Sequence, residues 1–232
     1  VDFRNRAIFP GFNDLPDENN VSLNFYASNH EFTYQPRQHL LFLAEIVDFR
    51  TLVRLQMDIK DIDGRMIPLF FYTDGRGSEL APAQVWKGYT AAILYAQRHT
   101  FMTSERGNPP QTQFMFLTTC PHQIFPLSLN SLLALSGRVQ QFSTEMNGTR
   151  PCHGCGKRAA SLMKCTRCSL FWYCNGACQS AGWSEKCHKA DCKLLKDSDL
   201  NGLISLKGDN FEGHVGFPLN TARRICHGEA VG

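Results

Sequence analysis

Cysteine and histidine residues form close pairs between positions 152 and 192, where eight of the ten cysteines of the 232-residue chain lie. Two or three residues separate the partners of each pair, which are Cys152 and Cys155, Cys165 and Cys168, Cys174 and Cys178, and His188 and Cys192. A two-residue gap forms a turn whose amides can point at the sulfurs, and a three-residue gap places both partners on one side of a helical turn. Four such pairs predict two tetrahedral metal sites, with zinc as the expected ion.

A disulfide framework is the alternative interpretation of clustered cysteines. Metal coordination is favoured because the cysteines have ligand spacing, a histidine takes part, and no signal peptide is recognised at the N-terminus. The two cysteines outside the cluster, Cys120 and Cys226, are predicted to be a buried thiol and a tail thiol. Spacing alone does not decide which pairs combine into one site.

The cluster resembles a MYND zinc finger. Three aromatic residues, 171–173, precede Cys174, and Cys178-Gln179 is followed by Trp183, as in that family. The resemblance implies that the pairs interleave, so that the first zinc takes one set of four ligands and the second zinc takes the other. The implied sets are Cys152, Cys155, Cys174 and Cys178, and Cys165, Cys168, His188 and Cys192.

One departure from the family lies between Trp183 and His188, where four residues stand instead of the usual two. The extra residues include Cys187, which adjoins His188 and is a competing ligand. His188 is preferred because its three-residue gap to Cys192 and the residue after it both match the family. His153, between the ligands of the first pair, is predicted to face solvent.

The resemblance implies a protein-interaction adaptor that binds short proline-containing peptides, often in transcriptional regulation. Segments 162–164 and 171–173 flank the second pair and are predicted to form a hairpin with an open edge, which can accept a peptide strand. The predicted peptide-binding residues are Phe171, Tyr173, Gln179 and Trp183. The alternative for Trp183 is structural: its ring would pack the last helix against the zinc core.

No catalytic function is predicted, since all eight ligand positions are protein groups and neither zinc keeps an open site. MYND fingers also occur in SET-domain lysine methyltransferases, so a fragment of such an enzyme is an alternative. It is less favoured because no cofactor motif precedes the finger and only 40 residues follow Cys192. Nucleophile-elbow, phosphate-loop and dinucleotide motifs are not found either.

Hydrophobic alternation upstream of the cluster predicts β structure. From Val53 to Lys60 apolar and polar residues alternate with period two, which places them on opposite faces of a strand. Asp63-Gly64 predicts a tight turn, and the return strand is predicted over Met66–Tyr72, with Pro68 at an edge or a bulge. The almost entirely apolar stretch His39–Phe49 is predicted to be a strand buried on both faces.

The secondary structure of the later segments of this region is ambiguous. Residues 86–103 fit either a helix or a strand that enters through Gly88, residues 114–117 are strand-like, and residues 127–135 fit a short helix or a final strand. About five strands that bury one face close most economically into a small, OB-like barrel. The predicted division is an irregular lead-in (1–30), a mostly β, OB-like domain (31–142), a linker (143–151), a small α+β finger (152–192), and a helical extension with an irregular tail (193–232).

Charge is unevenly distributed, with nine basic and two acidic residues in 150–196. Seven thiolates and two zinc ions would add about three negative charges, so the finger is only mildly basic. Nucleic-acid binding is therefore the second hypothesis and is assigned to the barrel, through Arg50, Arg54, Phe70, Tyr72 and Arg76. No apolar stretch reaches the ~18 residues of a membrane span, so no membrane partner is expected, and the expected location is the nucleus or the cytoplasm.

Overall fold

The computed structural model describes residues 1–17, 22–28, 34–78, 80, 82–98, 122–207, 211 and 213–219. These residues form two compact units. The sheet unit contains the described residues among 4–130 and 207–217, and the cysteine unit contains residues 1–3, 131–206 and 218–219. The cysteine unit thus begins upstream of the predicted linker. No helix within the described ranges is both long and apolar enough to cross a bilayer.

The strands of the sheet unit are β1 (Tyr26–Ser28), β2 (Tyr34–Pro36), β3 (Leu41–Thr51), β4 (Leu55–Asp61), β5 (Met66–Phe70), β6 (Thr90–Leu94) and β7 (His122–Phe125). The helix α1 (Leu129–Ser143) follows. The remaining elements, all in the cysteine unit, are β8 (Arg150–Pro151), β9 (Arg158–Ala159), β10 (Met163–Lys164), β11 (Trp172–Tyr173), α2 (Gly176–Ser184), α3 (His188–Leu194) and α4 (Ser198–Ser205).

Five antiparallel strands form the main sheet, in the order β5-β4-β3-β6-β7. The long strand β3 lies at the centre and pairs with β4 on one side and with β6 on the other. The prediction of a mostly β N-terminal region is confirmed. The OB-like barrel is not confirmed, because β5 and β7 do not pair with each other among the described strands and the sheet stays open.

The alternating segment forms β4, as predicted, although the strand begins two residues later. Leu55, Met57 and Ile59 are buried, whereas Val53 is 70% exposed in the bend that joins β3 to β4. The predicted turn at Asp63-Gly64 is confirmed, with a φ of 81° at the glycine. The Asp61 carboxylate closes this turn, because it accepts the backbone N–H groups of Asp63 and Arg65 at 3.0 and 2.8 Å.

Strand β3 is buried on both faces only in its first half. Its register shifts at a bulge between Ile46 and Asp48, and the residues after Ile46 are exposed. In the described part of the ambiguous segment 86–103, Thr90–Leu94 form the strand β6, and Gly88, two residues before it, has a φ of 82°. The second ambiguous segment forms the helix α1. The predicted strand at 114–117 lies outside the described residues.

The core of the sheet unit also draws on the lead-in that was predicted to be irregular. Phe12 and Leu15 are buried in the same cluster as Phe42, Met57 and other apolar residues of the sheet. The backbone N–H of Phe12 donates to the Asp61 carboxylate at 2.9 Å. Irregular backbone in the lead-in therefore still contributes side chains to the core, which composition alone does not reveal.

Candidate metal centre

The first ligand pair lies in the turn between β8 and β9. The Cys152 N–H donates to the Lys157 carbonyl at 2.9 Å, and the Cys152 carbonyl accepts the Gly156 N–H at 2.8 Å. Gly156 has a φ of 77°, a conformation that glycine adopts without strain. This turn fixes Cys152 and Cys155 so that their sulfurs lie within ligand distance of each other.

The third pair completes the first cluster from β11 and α2. Cys174 follows β11, and its N–H donates to the Cys152 sulfur at 3.4 Å. Cys178 lies in the first turn of α2, where its N–H donates to the side chain of the N-cap Asn175 at 3.0 Å. The four sulfurs of Cys152, Cys155, Cys174 and Cys178 all lie within 4.8 Å of one another.

The second cluster combines the hairpin β10–β11 with α3. The Cys165 N–H donates to the Phe171 carbonyl at 2.8 Å, which fixes the loop that carries Cys165 and Cys168. His188 begins α3 and Cys192 lies one turn later. The Cys165 and Cys192 sulfurs are 4.0 Å apart, and the Cys168 sulfur lies 3.4 Å from His188 Nε2. All four ligand atoms lie within 4.8 Å of one another, and all four residues are buried.

Tyr173 orients the histidine of the second cluster. The His188 Nδ1 is hydrogen-bonded to the Tyr173 hydroxyl, while Nε2 faces the Cys168 sulfur. If Nε2 binds the metal, Nδ1 carries the proton and donates to the tyrosine oxygen. Burial and the neighbouring thiolates raise the pKa of Tyr173, so its hydroxyl stays protonated. Tyr173 therefore supports a ligand and does not bind a metal itself.

The geometry and the chemistry of both clusters fit zinc. A tetrahedral site with Zn–S bonds of ~2.3 Å has sulfur–sulfur edges of about 3.8 Å. The sulfurs of Cys155 and Cys174 are 3.8 Å apart. Burial opposes ionisation of Cys152, but the N–H groups of Cys155, Cys174 and Gly154 lower its thiol pKa to about 6. With four protein ligands at each cluster, both ions would be structural.

The predicted peptide-binding residues fall into two groups. The side chains of Phe171 and Tyr173 are 0 and 1% exposed, so they belong to the interior and are not available to a peptide. Gln179 is exposed and Trp183 is half-buried, and both line an open groove of about 460 Å³. We call it the Trp183 groove; its lining residues are Cys165, Thr166, Arg167, Gln179, Ser180, Trp183 and Ser184.

Trp183 also has the structural role that was its alternative interpretation. Its ring lies edge-on to the His188 ring, with a centroid distance of 5.5 Å and an interplanar angle of 88°. One face of the residue therefore packs against the second cluster, while the residue also lines the groove. A change at Trp183 must consequently be checked for its effect on zinc content.

His153 is buried, in contrast to the prediction that it faces solvent. It is 2% exposed, and its ring lies 4.6 Å from that of Phe142 and 4.5 Å from that of Phe171. Its Nδ1 has no hydrogen-bond partner among the described residues. Burial lowers the pKa of His153 to about 4, so the ring is neutral at pH 7. The turn that presents the first pair directs this side chain inward, which ligand spacing does not predict.

The other cysteines can be placed only in part. Cys187 is exposed, lies outside both clusters, and forms the N-cap of α3 with a φ of 60°. His188, and not Cys187, therefore joins the second cluster. Cys120 and Cys226 lie outside the described residues, so their predicted roles stay predictions.

Sequence reasoning missed an ion pair that ties α1 to α3. The Nε and Nη2 atoms of Arg138 donate to the two carboxylate oxygens of Asp191 at 2.8 and 2.7 Å. The Asp191 side chain is only 2% exposed, and the hydrogen bonds raise the pKa of Arg138. A carboxylate beside the ligand Cys192 was the only signal, and its partner lies 53 residues away in the sequence.

The sequence matches to a protein family and to curated relatives cover only a short segment of the chain, and the family match lies at the cysteine cluster. Residues 152–192 match the family model described as the MYND finger. The histone-lysine N-methyltransferase ASHR1 of Arabidopsis thaliana is 43% identical over 44 residues, which are 19% of this chain and 8% of that protein. Ubiquitin carboxyl-terminal hydrolase 19 of Arabidopsis thaliana is 39% identical over 54 residues, which are 23% of this chain and 8% of that protein. The chain thus aligns with less than a tenth of either relative.

A solved structure of a replication protein A heterotrimer bound to ssDNA aligns with 47% of this chain and 77% of that chain. The TM-score is 0.27 and the sequence identity is 8%, values at which the likeness does not establish a common fold. The assignment of the finger is better supported, because the family match, the grouping of the ligands and the chemistry of the donor atoms agree for residues 152–192. Residues 152–192 are therefore a MYND finger, a zinc-dependent interaction module whose two Cys/His clusters fit two zinc ions.

Proposed function

We propose that this chain is a zinc-dependent protein-interaction adaptor that binds short proline-containing peptides in the Trp183 groove. The observation that carries the proposal is the pairing of an aromatic wall, Trp183, with an exposed amide, Gln179, in one open groove. An indole face suits a proline ring, and a side-chain amide can donate to or accept from a peptide backbone. The adjacent zinc cluster would hold the groove rigid, which lowers the entropy lost on binding.

The edge of β10 adds a second means of binding to the groove. This strand pairs with β11 on one side, and no other strand pairs with its opposite edge among the described residues. Cys165, which lines the groove, directly follows β10. A peptide in the groove would therefore run beside an edge with free backbone groups, as in β-strand addition.

Binding rather than catalysis is proposed because of the ligand sets. Each zinc would be held by four protein groups, so no coordination position is left for water or substrate. An adaptor with thiolate-bound zinc is suited to a reducing compartment, so we place its action in the nucleus or the cytoplasm. Imaging of the tagged chain, with a secreted population as the contrary outcome, tests this location.

The test of peptide binding uses the Gln179→Ala, Trp183→Ala double variant. Fluorescent decapeptides with two prolines each are titrated with the full chain, and anisotropy is measured. The double variant is expected to lose binding while it retains two zinc ions per chain. The matched control is Trp86→Ala, which removes a 57% exposed tryptophan of the sheet unit and should bind as the parent does. Unchanged binding by the double variant would exclude the groove.

A second candidate function, binding of single-stranded nucleic acid, is favoured by one feature of the sheet unit. Arg50, Gln56 and Phe70 are register neighbours across β3, β4 and β5. Beside this row, the Arg54 guanidinium lies 3.6 Å from the centroid of the Tyr72 ring. Aromatic rings next to arginines are the usual stacking platform for bases. The predicted OB-like barrel is not confirmed, but these residues lie together on the open sheet, so the proposed stacking surface does not depend on closure of the sheet into a barrel.

Gel-shift titration at low salt with single-stranded oligonucleotides tests this second function. The Arg50→Gln, Arg54→Gln variant is expected to bind more weakly and with a smaller salt dependence, because each phosphate contact contributes to the salt slope. The absence of any shift with the parent chain would remove the idea without affecting the peptide groove.

A further inference from the structure

Arg167 is the charged residue of the Trp183 groove. It is the only Lys, Arg, Asp or Glu among the seven lining residues. Its side chain is exposed, and the guanidinium carbon lies 5.6 Å from the centroid of the Trp183 ring. That distance is near the outer limit of a cation–π contact, so the attraction is weak and the N–H donors remain available to a ligand.

The metal site would fix the backbone of the residue that carries this charge. Arg167 stands between the ligands Cys165 and Cys168. The loop is closed by the Ser169 N–H, which donates to the Cys165 carbonyl at 3.0 Å. Because both neighbouring ligands are anchored at the second cluster, the backbone of Arg167 cannot move away from the groove without disturbing zinc. The cation is therefore part of the groove itself.

No acidic group of the finger neutralises Arg167. Among the described residues, no carboxylate oxygen lies within 4.0 Å of its guanidinium. The acidic residues of 150–196 are Glu185 and Asp191. Asp191 is buried and paired with Arg138, and Glu185 caps the end of α2 outside the groove lining. Beside an aromatic wall, the groove thus presents a guanidinium that pairs with no carboxylate of the described residues, although the thiolates of the second cluster, among them Cys192, lie close enough to interact with it.

We propose that the Trp183 groove selects peptides in which an acidic side chain lies close to the residue that packs on Trp183. This inference rests on the peptide-binding function proposed above and specifies its ligand: a short proline-containing segment with a glutamate, an aspartate or a phosphorylated residue. The guanidinium offers paired donors to a carboxylate, and the indole takes the neighbouring apolar residue. A lysine at the same place in the peptide would be repelled.

The test changes the charge at each position of one peptide and compares the affinities. Glu, Gln or Lys is placed in turn at each non-proline position of a fluorescent two-proline decapeptide, and anisotropy titrations use the full chain. At one or two adjacent positions, Glu is expected to bind roughly two- to fivefold more tightly than Gln, and Lys more weakly, at low salt. The preference should shrink as salt is raised to about 1 M. A phosphoserine arm at the same positions shows whether phosphate is accepted.

Variants assign the preference to Arg167. In Arg167→Gln the Glu and Gln peptides should bind equally, and in Arg167→Glu the Lys peptide should become the better ligand. The matched control is Lys157→Gln, which removes an exposed cation of the finger that neither lines the groove nor belongs to either ligand set. It should keep the Glu preference. Zinc content is measured for every variant, and two ions per chain are expected.

The outcomes separate the two proposals. If no peptide binds the parent chain, or if binding survives the loss of Gln179 and Trp183, the groove and its charge preference both fail. If peptides bind through Trp183 but Glu, Gln and Lys are equivalent at every position, only the charge preference is overturned. The same holds if Lys157→Gln removes the preference as fully as Arg167→Gln does.

Discussion

The sheet unit and the finger are stabilised by different means. In the sheet unit, phenylalanine, isoleucine and leucine side chains from several strands and from the lead-in fill one core. In the finger, five of the buried side chains are ligands, and the others are His153, Phe171, Tyr173 and Asp191. Apolar burial depends on many small contributions, whereas a zinc site concentrates ~10–16 kcal/mol of apparent binding free energy in four bonds. Loss of one apolar side chain should thus remove only part of the stability of the sheet unit, whereas loss of the bound zinc should remove most of the stability of the finger.

Removal of zinc should have the largest effect on stability, and this effect should be confined to the finger. After treatment with a strong chelator, residues 152–192 are expected to unfold, because few of their buried groups are aliphatic. Strands β3 and β4 should keep their amide protection. Hydrogen exchange followed by mass spectrometry measures both segments in one sample. Preserved protection of 152–192 in material shown to be free of zinc would refute this division.

Loss of one ligand should remove one zinc and leave the other. His188→Ala is expected to reduce the zinc content from two ions to one, because His188 Nε2 belongs to the second cluster alone. Cys187→Ser is the control, since Cys187 is exposed and lies outside both clusters. Elemental analysis of the purified variants gives the counts. A lower count for Cys187→Ser, with two ions in His188→Ala, would reverse the assignment.

Truncation of a core residue should weaken the sheet unit without loss of metal. Phe42 is 0% exposed at the centre of the sheet, so Phe42→Ala is expected to lower the free energy of unfolding of that unit by about 3–5 kcal/mol. Val53→Ala, at a 70% exposed position, should change it by less than about 0.5 kcal/mol. Exchange rates in β3 and β4 report the change. A zinc content below two in Phe42→Ala would argue against separate stabilisation.

Of these four changes, loss of the ion pair between α1 and α3 should have the smallest effect on stability. Arg138→Gln removes the charged partner of a buried carboxylate and is expected to destabilise the cysteine unit by roughly 1–3 kcal/mol. Adding Asp191→Asn should recover part of this loss, because an amide is less costly to bury than an unpaired carboxylate. Denaturation followed by tryptophan fluorescence measures both variants. Equal stability of Arg138→Gln and the parent chain would mean that α1 contributes little to the finger.

Local patterns predicted more of the finger than of the sheet unit. The ligand pairs could be identified from sequence because a two- or three-residue gap constrains geometry within a single turn. The β4 alternation and the Asp63-Gly64 turn are local in the same sense. The barrel, by contrast, depended on whether distant edge strands meet, and alternation carries no information about that contact. The start of α1 was ambiguous for a similar reason, because a short apolar run suits either a helix or a strand.

The sequence by itself determined the chemistry of this protein: which residues can bind zinc, and that the metal, once bound, leaves no open coordination position. Only the tertiary structure decided which way the neighbouring side chains face. It buried His153, set Tyr173 against His188 and paired Arg138 with Asp191, and it placed Arg167 beside Trp183 in one groove. The physical reason is that each ligand pair depends on spacing along the chain, whereas burial and ion pairing, like the combination of two pairs into one site, depend on contacts between residues far apart in it.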